Sequence, residues 1–367
     1  MIRDAVRAFA QEELWPHAAQ WDRDHTFPRQ AHKGLAALGC YGICVPEEYG
    51  GAGLDYLTLS LVLEEIAAGD GGTSTAISVT NCPYNAILMK YGTQAQKQQW
   101  LVPAARGDIL GAFCLTEPHA GSDASAVRTT ATREGGEYAL NGVKQFITSG
   151  QNGQAAIVIA VTDKNAGKKG LSAFIVPTSN PGWKVAGLER KLGQHSSDTA
   201  QILLQDCRIP GQNRIGEEGE GYKIALSALE GGRIGIASQS VGMARSALEF
   251  AIRYAKEREA FGVPIFEHQA VAFRLADCAT RLEAARQLIW HAAALRDAGQ
   301  PCLKEAAMAK LFASEAAEHV CSTAIQTLGG YGVTADFPVE RIYRDVRVCQ
   351  IYEGTSDVQK IIISRAL

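Results

Sequence analysis

A chain of 367 residues exceeds one ordinary hydrophobic core, so two or three packed units are expected. With 46% hydrophobic residues, 20% charged residues and a formal net charge of -3, it has ample core material and no charge excess suited to nucleic acid, which is not expected as a partner. The longest apolar run, Ala155 to Val161, falls far short of the roughly 20 residues that span a bilayer, so no membrane segment is predicted.

The first residues, MIRDAVRAFAQEELWPHAA, carry acidic side chains and no apolar signal core, and read as an amphipathic helix of the fold. Residues 1–108 form a helical unit on apolar spacing near 3.6 in Ile2 to Trp15, Gln30 to Leu38 and Leu57 to Ala68. Residues 109–220 switch to short β-rich runs, AIVIAVT, LSAFIVP and QILLQDCRI, between Gly, Asn, Asp and Pro clusters. Residues 221–367 return to long Ala- and Leu-rich helices, Tyr222 to Glu259, Glu267 to Ala298 and Leu303 to Leu328. A shorter last helix is predicted to start at Ser356, with Ser356 and Gln359 spaced as a capping box before VQKIII. The fold class is therefore α+β: an N-terminal α-helical domain, a middle β domain and a C-terminal four-helix bundle. Nine cysteines, an odd number without a CxxC pair, read as buried free thiols in a reducing compartment, and no metal site is expected.

Four stretches can carry chemistry. In FCLTEPHAGSDASAVRTTATREGGEYALNGVKQFITSG, Phe113 to Gly150, a strand-like start runs into a polar turn. Thr116, Ser122 and free backbone amides there can hold a polar heterocycle or a phosphate, and an ordinary β-turn is the alternative. In EGGRIGIASQSVGMARSALEF, Glu230 to Phe250, small residues allow close approach to a helix, by a ligand or by another helix. In KEREAFGVPIFEHQA, Lys256 to Ala270, Arg258 offers a planar donor fork and Phe261 an aromatic face. In IYEGTSDVQK, Glu353 is a loop carboxylate ahead of a capped helix. A Rossmann reading of GGAGLDY fails because the third glycine and the strand-loop-helix context are missing.

The spacing TEPxAGSD followed by NGxKxFIT, together with GRIGIASQ, RxxFG, QTLGG and IYEGTSDVQK, resembles the acyl-CoA dehydrogenases, most of all their short-chain and short-branched-chain members. The resemblance implies FAD as cofactor, with flavin contacts at Phe113, Leu115, Thr116, Ser122, Phe146, Ile147 and Thr148, and also at Thr355, Ser356 and Asp357. It implies that Arg258, Phe261, Gln269, Gln326, Gly329 and Gly330 reach the flavin's diphosphate and adenine across a subunit boundary. A homotetramer, a dimer of dimers, follows from that. Acyl-CoA contacts are implied for Ser122, Glu230, Arg233, Tyr352 and Gly354, and Glu353 is implied as the catalytic base. Phe146 replaces a common Trp, and relatives often carry Asp where Glu230 stands. Some branches place the base on the long helix beside Arg233, where this chain has Gly232, which cannot act as one.

The implied reaction is desaturation of an acyl-CoA to the trans-2-enoyl-CoA, with electrons passing to electron-transfer flavoprotein. The alternatives are an acyl-CoA oxidase and a non-catalytic flavin- or nucleic-acid-binding relative. The missing C-terminal extension argues against the first; net charge and an intact Glu353 argue against the second. The expected compartment is the cytoplasm for a bacterial chain or the mitochondrial matrix for a processed eukaryotic one. Substrate length is expected to be set around Asn81 to Leu88.

Overall fold

The computed structural model describes residues 1–367. Helices α1 (Ile2–Phe9) and α2 (Trp15–Asp24) form one rod, joined by a widened turn over Ala10–Leu14. After α3 (Arg29–Ala37) come α4 (Tyr56–Gly69) and α5 (Gly71–Val79). Their starts are fixed by Asp55 and Asp70, whose side chains accept the Thr58 and Thr73 amides at 2.7 and 2.8 Å. From α5 the chain runs through a second widened turn, Thr80–Asn85, into α6 (Ala86–Tyr91). Pro83 sits inside that turn, where a regular helix would suffer its missing N–H and its ring clash. Two short helices, α7 (Gln94–Gln96) and α8 (Val102–Arg106), complete this part.

Eight strands follow: β1 (Gly111–Cys114), β2 (Thr130–Glu134), β3 (Glu137–Thr148), β4 (Ala155–Val161), β5 (Leu171–Pro177), β6 (Trp183–Leu188), β7 (Thr199–Pro210) and β8 (Arg214–Ile215). Their order is β6-β7-β3-β2-β4-β5-β8, with β1 added parallel to β4. The two halves are joined by a single β2–β4 pair, Thr130 with Val161, and fold over a shared core in which the Tyr138 and Phe174 rings lie 4.8 Å apart. Strands β4 and β5 are buried on both faces, one against the sheet and one against the helices through Ile157, Ile159, Leu171 and Ile175. That is why AIVIAVT and LSAFIVP read as continuous apolar runs and not as alternating ones.

The 37-residue helix α9 (Gly221–Glu257) leads through a hairpin of β9 (Glu259–Ala260) and β10 (Val263–Pro264) to α10 (Gln269–Asp297) and α11 (Leu303–Leu328). These three long helices and the final α13 (Ser356–Ser364) match the expected set; α12 (Pro338–Val346) is an addition that the sequence pattern did not reveal. Helix α4 also packs against α9 and α10, so the helical core is assembled from both ends of the chain. Arg7 and Arg245 clamp Glu65, and Arg286 holds Glu64, pinning α1, α9 and α10 onto α4. No helix is long and apolar enough to cross a membrane, and all nine cysteines are free thiols.

One buried ion pair fixes the polar turn after β1. Lys144 on β3 is fully buried and donates to Glu117 at 2.8 Å and to the Leu115 carbonyl at 3.1 Å. Glu117 also accepts the Arg128 and Thr129 amides. Truncating one member leaves the other charge uncompensated in the interior. Lys144→Met is therefore expected to destabilise the protein by about 3–5 kcal/mol, read as a large fall in the unfolding midpoint. Adding Glu117→Gln should recover part of the loss.

Candidate active site

The short loop between α12 and α13 carries Glu353, one of seven non-glycine residues with positive φ, at 54°, followed by Gly354 at 93°. Only the second is at ease in that region. Helix α13 begins where expected, but its cap is Thr355, whose hydroxyl accepts the Val358 amide at 3.3 Å. Thr355 has the extended backbone that a cap needs, while Ser356 is already helical, so the cap stands one residue earlier than predicted and, with Val358 at the third helical position, no capping box forms. Gln359, released from capping, turns back to the loop, and its side-chain amide donates to the Glu353 and Gly354 carbonyls at 3.2 and 2.8 Å. Tyr352 is anchored separately, donating to Gln239 on α9 at 3.1 Å and accepting from Gln194 of the β6–β7 loop at 3.3 Å.

The Glu353 carboxylate lies flat against α9 at Gly232. A Cβ at that glycine would stand 2.6 and 2.9 Å from its two oxygens, so any larger residue would displace it. Its Oε2 is buried with no hydrogen-bond partner. Desolvation is the largest influence on this group and raises its pKa to about 7; Arg233 and Lys310 pull in the opposite direction without cancelling it. The backbone amides of Glu353 and Gly354 donate to nothing in the chain, nor does that of Thr355.

Around this carboxylate the predicted residues fall into three groups. Arg233 is buried beside it, with its Nε unpartnered. Glu230, expected on the substrate channel, accepts from Arg296 at 2.8 Å and from the Cys302 thiol at 3.2 Å, and Arg296 in turn covers the Tyr56 ring at 4.3 Å. Tyr56 stands against Gly231. One turn further along α9, a Cβ at Gly235 would lie 2.7 Å from Ser78 Oγ, 3.1 Å from Cys82 Sγ and 3.3 Å from Leu63 Cδ1. Cys82 falls within the stretch expected to set substrate length, whereas Ser78 and Leu63 were missed in the sequence, where nothing local marks them. Asn81, at the start of the stretch expected to set substrate length, is occupied with Cys40, Ile43 and Ile77 backbone groups.

The second group is the polar turn and the FIT strand. The Gln145 amide donates to the Thr116 carbonyl at 2.9 Å, which joins the two segments beside Phe113 and Leu115. Ser122 is exposed at the tip of the turn, and Phe146 is 61% exposed in a left-handed conformation, so a large apolar face stands free there. Thr148 is half-buried, whereas the Ile147 side chain packs into the sheet core, leaving only its backbone for a ligand. At the start of α13, Ser356 Oγ is buried without a partner, while Asp357 is exposed. Orphaned buried polar atoms, free amides and an exposed aromatic face are features a bound flavin ring would satisfy.

The third group lies apart. Arg258, Gln326, Gly329 and Gly330 line a groove of about 460 Å³ with Tyr254 and Ile265. Phe261 is 97% exposed at the hairpin tip, and Gln269 is exposed at the start of α10. Arg258 follows Gly232 by 26 residues, about 39 Å along α9 at 1.5 Å per residue.

Family models for the N-terminal, middle and C-terminal domains of acyl-CoA dehydrogenase match residues 1–108, 112–207 and 219–367. The chain belongs to the acyl-CoA dehydrogenase family. It is accordingly a flavoprotein oxidoreductase with FAD as its cofactor. Among relatives of this acyl-CoA dehydrogenase, the rat mitochondrial short-chain specific acyl-CoA dehydrogenase is 48% identical over 99% of this chain and 88% of its own length. Butyryl-CoA dehydrogenase from Megasphaera elsdenii is 40% identical with a TM-score of 0.98, covering 100% of this chain and 96% of the other. A chain in the solved structure of an electron transferring flavoprotein of Acidaminococcus fermentans, described in the context of electron bifurcation, is 46% identical with a TM-score of 0.99, over 100% and 96% of the two chains.

The raised pKa of Glu353 has a definite consequence for stability. An acid whose folded-state value lies above its ordinary one adds most to stability below the ordinary carboxylate range, and that contribution is lost as pH rises through about 7. Infrared difference spectra are expected to show a protonated carboxyl band that disappears as pH rises through about 7 and is absent from Glu353→Gln. Gly232→Ala should displace the carboxylate visibly in a crystal structure.

Proposed function

We propose that this enzyme desaturates a short acyl-CoA, straight or 2-methyl-branched, to the trans-2-enoyl-CoA, with Glu353 as the base that removes the α-proton. The observation that carries this reading is a half-buried glutamate whose Oε2 is buried without a partner against Gly232, with its pKa raised to about 7 by desolvation. A base of that strength is better matched to a weakly acidic carbon than an ordinary carboxylate would be, and near neutral pH enough of it is ionised to act. The unpaired Glu353 amide is a fixed donor for charge that develops on the thioester oxygen. Arg233 brings an unsatisfied guanidinium to the same wall, a second contact for acyl-CoA. Tyr352, Gly354 and Ser122 complete the proposed substrate contacts, and Glu230 contributes by holding Arg296 over Tyr56.

Phe113, Leu115, Thr116, Ser122, Phe146, Thr148 and the Ile147 backbone, with Thr355, Ser356 and Asp357, are proposed to hold the isoalloxazine end of FAD. When bound, FAD supplies at N5 the acceptor for the hydride that leaves the β-carbon. Arg258, Phe261, Gln269, Gln326, Gly329 and Gly330 are proposed to serve the cofactor of another subunit. The roughly 39 Å between Gly232 and Arg258 along α9 supports this, because one dinucleotide does not reach both ends. A homotetramer built as a dimer of dimers follows, and electron-transfer flavoprotein is the proposed acceptor, in keeping with the relative solved in that context.

A short substrate is favoured by the wall at Gly235. It lies three residues, about 4.5 Å of helix rise, beyond the glycine that faces the base, and Ser78, Cys82 and Leu63 close it. The relatives specific for short-chain substrates and for butyryl-CoA agree with that size.

Anaerobic mixing with butyryl-CoA is expected to bleach the flavin, and a failure with every short or branched acyl-CoA would overturn the assignment. Glu353→Gln should retain FAD yet lose reduction by about 10³-fold or more, the upper part of the range for a general base. Reduction by the unaltered enzyme should rise with pH through about 7, since only the ionised carboxylate accepts the proton. Cys82→Ala should move the kcat/KM preference from four-carbon towards six-carbon substrates by about tenfold, the scale of a methylene's worth of pocket space.

A further inference from the structure

The left-handed backbone of Glu353 is the observation from which this inference starts, since such a conformation is held in a non-glycine residue only by its surroundings. Two side chains grip the peptides that follow it. Gln359 reaches them from within α13, and Lys310 reaches them from α11, its Nζ donating to the Gly354 carbonyl at 2.7 Å. Lys310 is wholly buried, and that carbonyl is its only acceptor in the chain; it has no ion pair within bonding distance. An ammonium carries three donors and is costly to bury, so a methionine would fill the same space at lower cost if packing were the only requirement. Nothing in the sequence distinguishes this lysine from the surface lysines of an Ala-rich helix.

We propose that Lys310 is the positioning residue of the Glu353 loop: its ammonium holds the Gly354 carbonyl so that the carboxylate stays pressed on Gly232, and its charge favours the ionised form of that carboxylate. The inference rests on the reading of Glu353 as the base. The charges that bear on the pair come from every side. Glu353 faces Arg233 on α9 and Lys310 on α11, and it raises the Cys82 thiol in the turn before α6. Lys310 faces Glu353, Cys349 in the turn after α12, Glu315 further along α11, and Arg233. Burial above all, and Arg233 with it, oppose the ammonium charge and bring its pKa down to about 8, while the Glu353 and Glu315 carboxylates favour it; the Cys349 thiol, its own pKa raised by burial, stays neutral in this range. Both partners thus titrate close to neutrality, where each senses the state of the other.

Coupling of this kind is reciprocal, so it can be read from either partner. In the FAD-loaded Glu353→Gln enzyme, ¹⁵N-lysine spectra should show the Lys310 ammonium titrating about one pH unit lower than in the parent, a tenfold loss of proton affinity. Its signal is assigned by its absence from Lys310→Arg. In Lys310→Met and Lys310→Gln, the infrared carboxyl band of Glu353 should titrate about one unit higher, and the acid limb of kcat/KM for butyryl-CoA should move with it. Lys310→Arg, which keeps the charge, should return that limb towards the parent value. An unmoved Lys310 signal in Glu353→Gln, or an unmoved acid limb in a folded, FAD-loaded Lys310→Met or Lys310→Gln, would reduce Lys310 to a mechanical strut and overturn the proposal. Should neither neutral variant fold, the near-isosteric Glu353→Gln decides alone. If Glu353→Gln keeps full reduction by acyl-CoA, the assignment of the base fails, while the titrations still report on the coupling.

Discussion

A carboxylate pressed against a helix that has no side chain to receive it is the constraint on which the site depends. Glycine in a helix interior is unfavourable by about 1 kcal/mol relative to alanine, yet α9 carries Gly231, Gly232 and Gly235 within one and a half turns. Each is in use. Gly231 admits the Tyr56 hydroxyl, Gly232 the Glu353 carboxylate, and Gly235 the trio Ser78, Cys82 and Leu63. The helix tolerates three such residues because its stability comes from elsewhere: it is packed along its length by α4, α10 and α11 and shares a 30-residue apolar core with them. The length of α9 and the packing of its neighbours are what allow one short stretch of it to be smooth.

The same constraint explains why the site lies where separate parts of the chain meet. Glu353 needs a dry wall, which α9 supplies, and a loop held in an unfavourable turn, which α9 alone cannot hold. Gln194, from the loop between β6 and β7, donates to Tyr352 and to the Asp345 carbonyl, while its backbone amide donates to the Asp345 side chain. Asp345 is itself so desolvated that its pKa rises to about 7, with Arg341 nearby restraining the rise. The sheet therefore clamps the end of α12 and the residue before Glu353 through a buried polar network. Such networks are costly unless satisfied and rigid when they are, and rigidity is what a glutamate held in a left-handed turn requires.

Much of this was legible beforehand, for identifiable reasons. Strands β4 and β5 are continuous apolar runs because both faces are covered, and the long helices announce themselves by composition and by Gly299 and Pro301 between α10 and α11. Gly232 was singled out only through the resemblance to the acyl-CoA dehydrogenases, as a position that cannot supply a base; that it faces Glu353 was not expected, since no spacing rule joins residues 121 positions apart. What stayed hidden depends on tertiary burial. Pro83 is by type a helix breaker and is absorbed by a widened turn. Ser356 and Gln359 have capping-box spacing, but Thr355 has the backbone for it, and Gln359 serves the loop. Lys144 and Lys310 are both fully buried, yet each stands in a segment whose neighbours give no sign of it. Cys82 lies in the stretch expected to set substrate length, but which residue of that stretch faces Gly235 shows only when α9 is laid beside it.

The two cations beside Glu353 differ in kind, and the difference bears on how the site works across pH. Arg233 keeps its charge over the whole physiological range, even though burial lowers its pKa, because a guanidinium starts so far above neutrality. It is a constant field. Lys310 can lose its charge near pH 8, just above the range where Glu353 gains its own near pH 7. Between those values the carboxylate is ionised while the loop behind it is still gripped by an ammonium. Below them Glu353 is protonated; above them the grip on the Gly354 carbonyl weakens, since a neutral amine donates a poorer hydrogen bond than a charged one. Protonation thus acts on the loop in two opposite ways, removing the charge of Glu353 and preserving the ammonium that holds the Gly354 carbonyl.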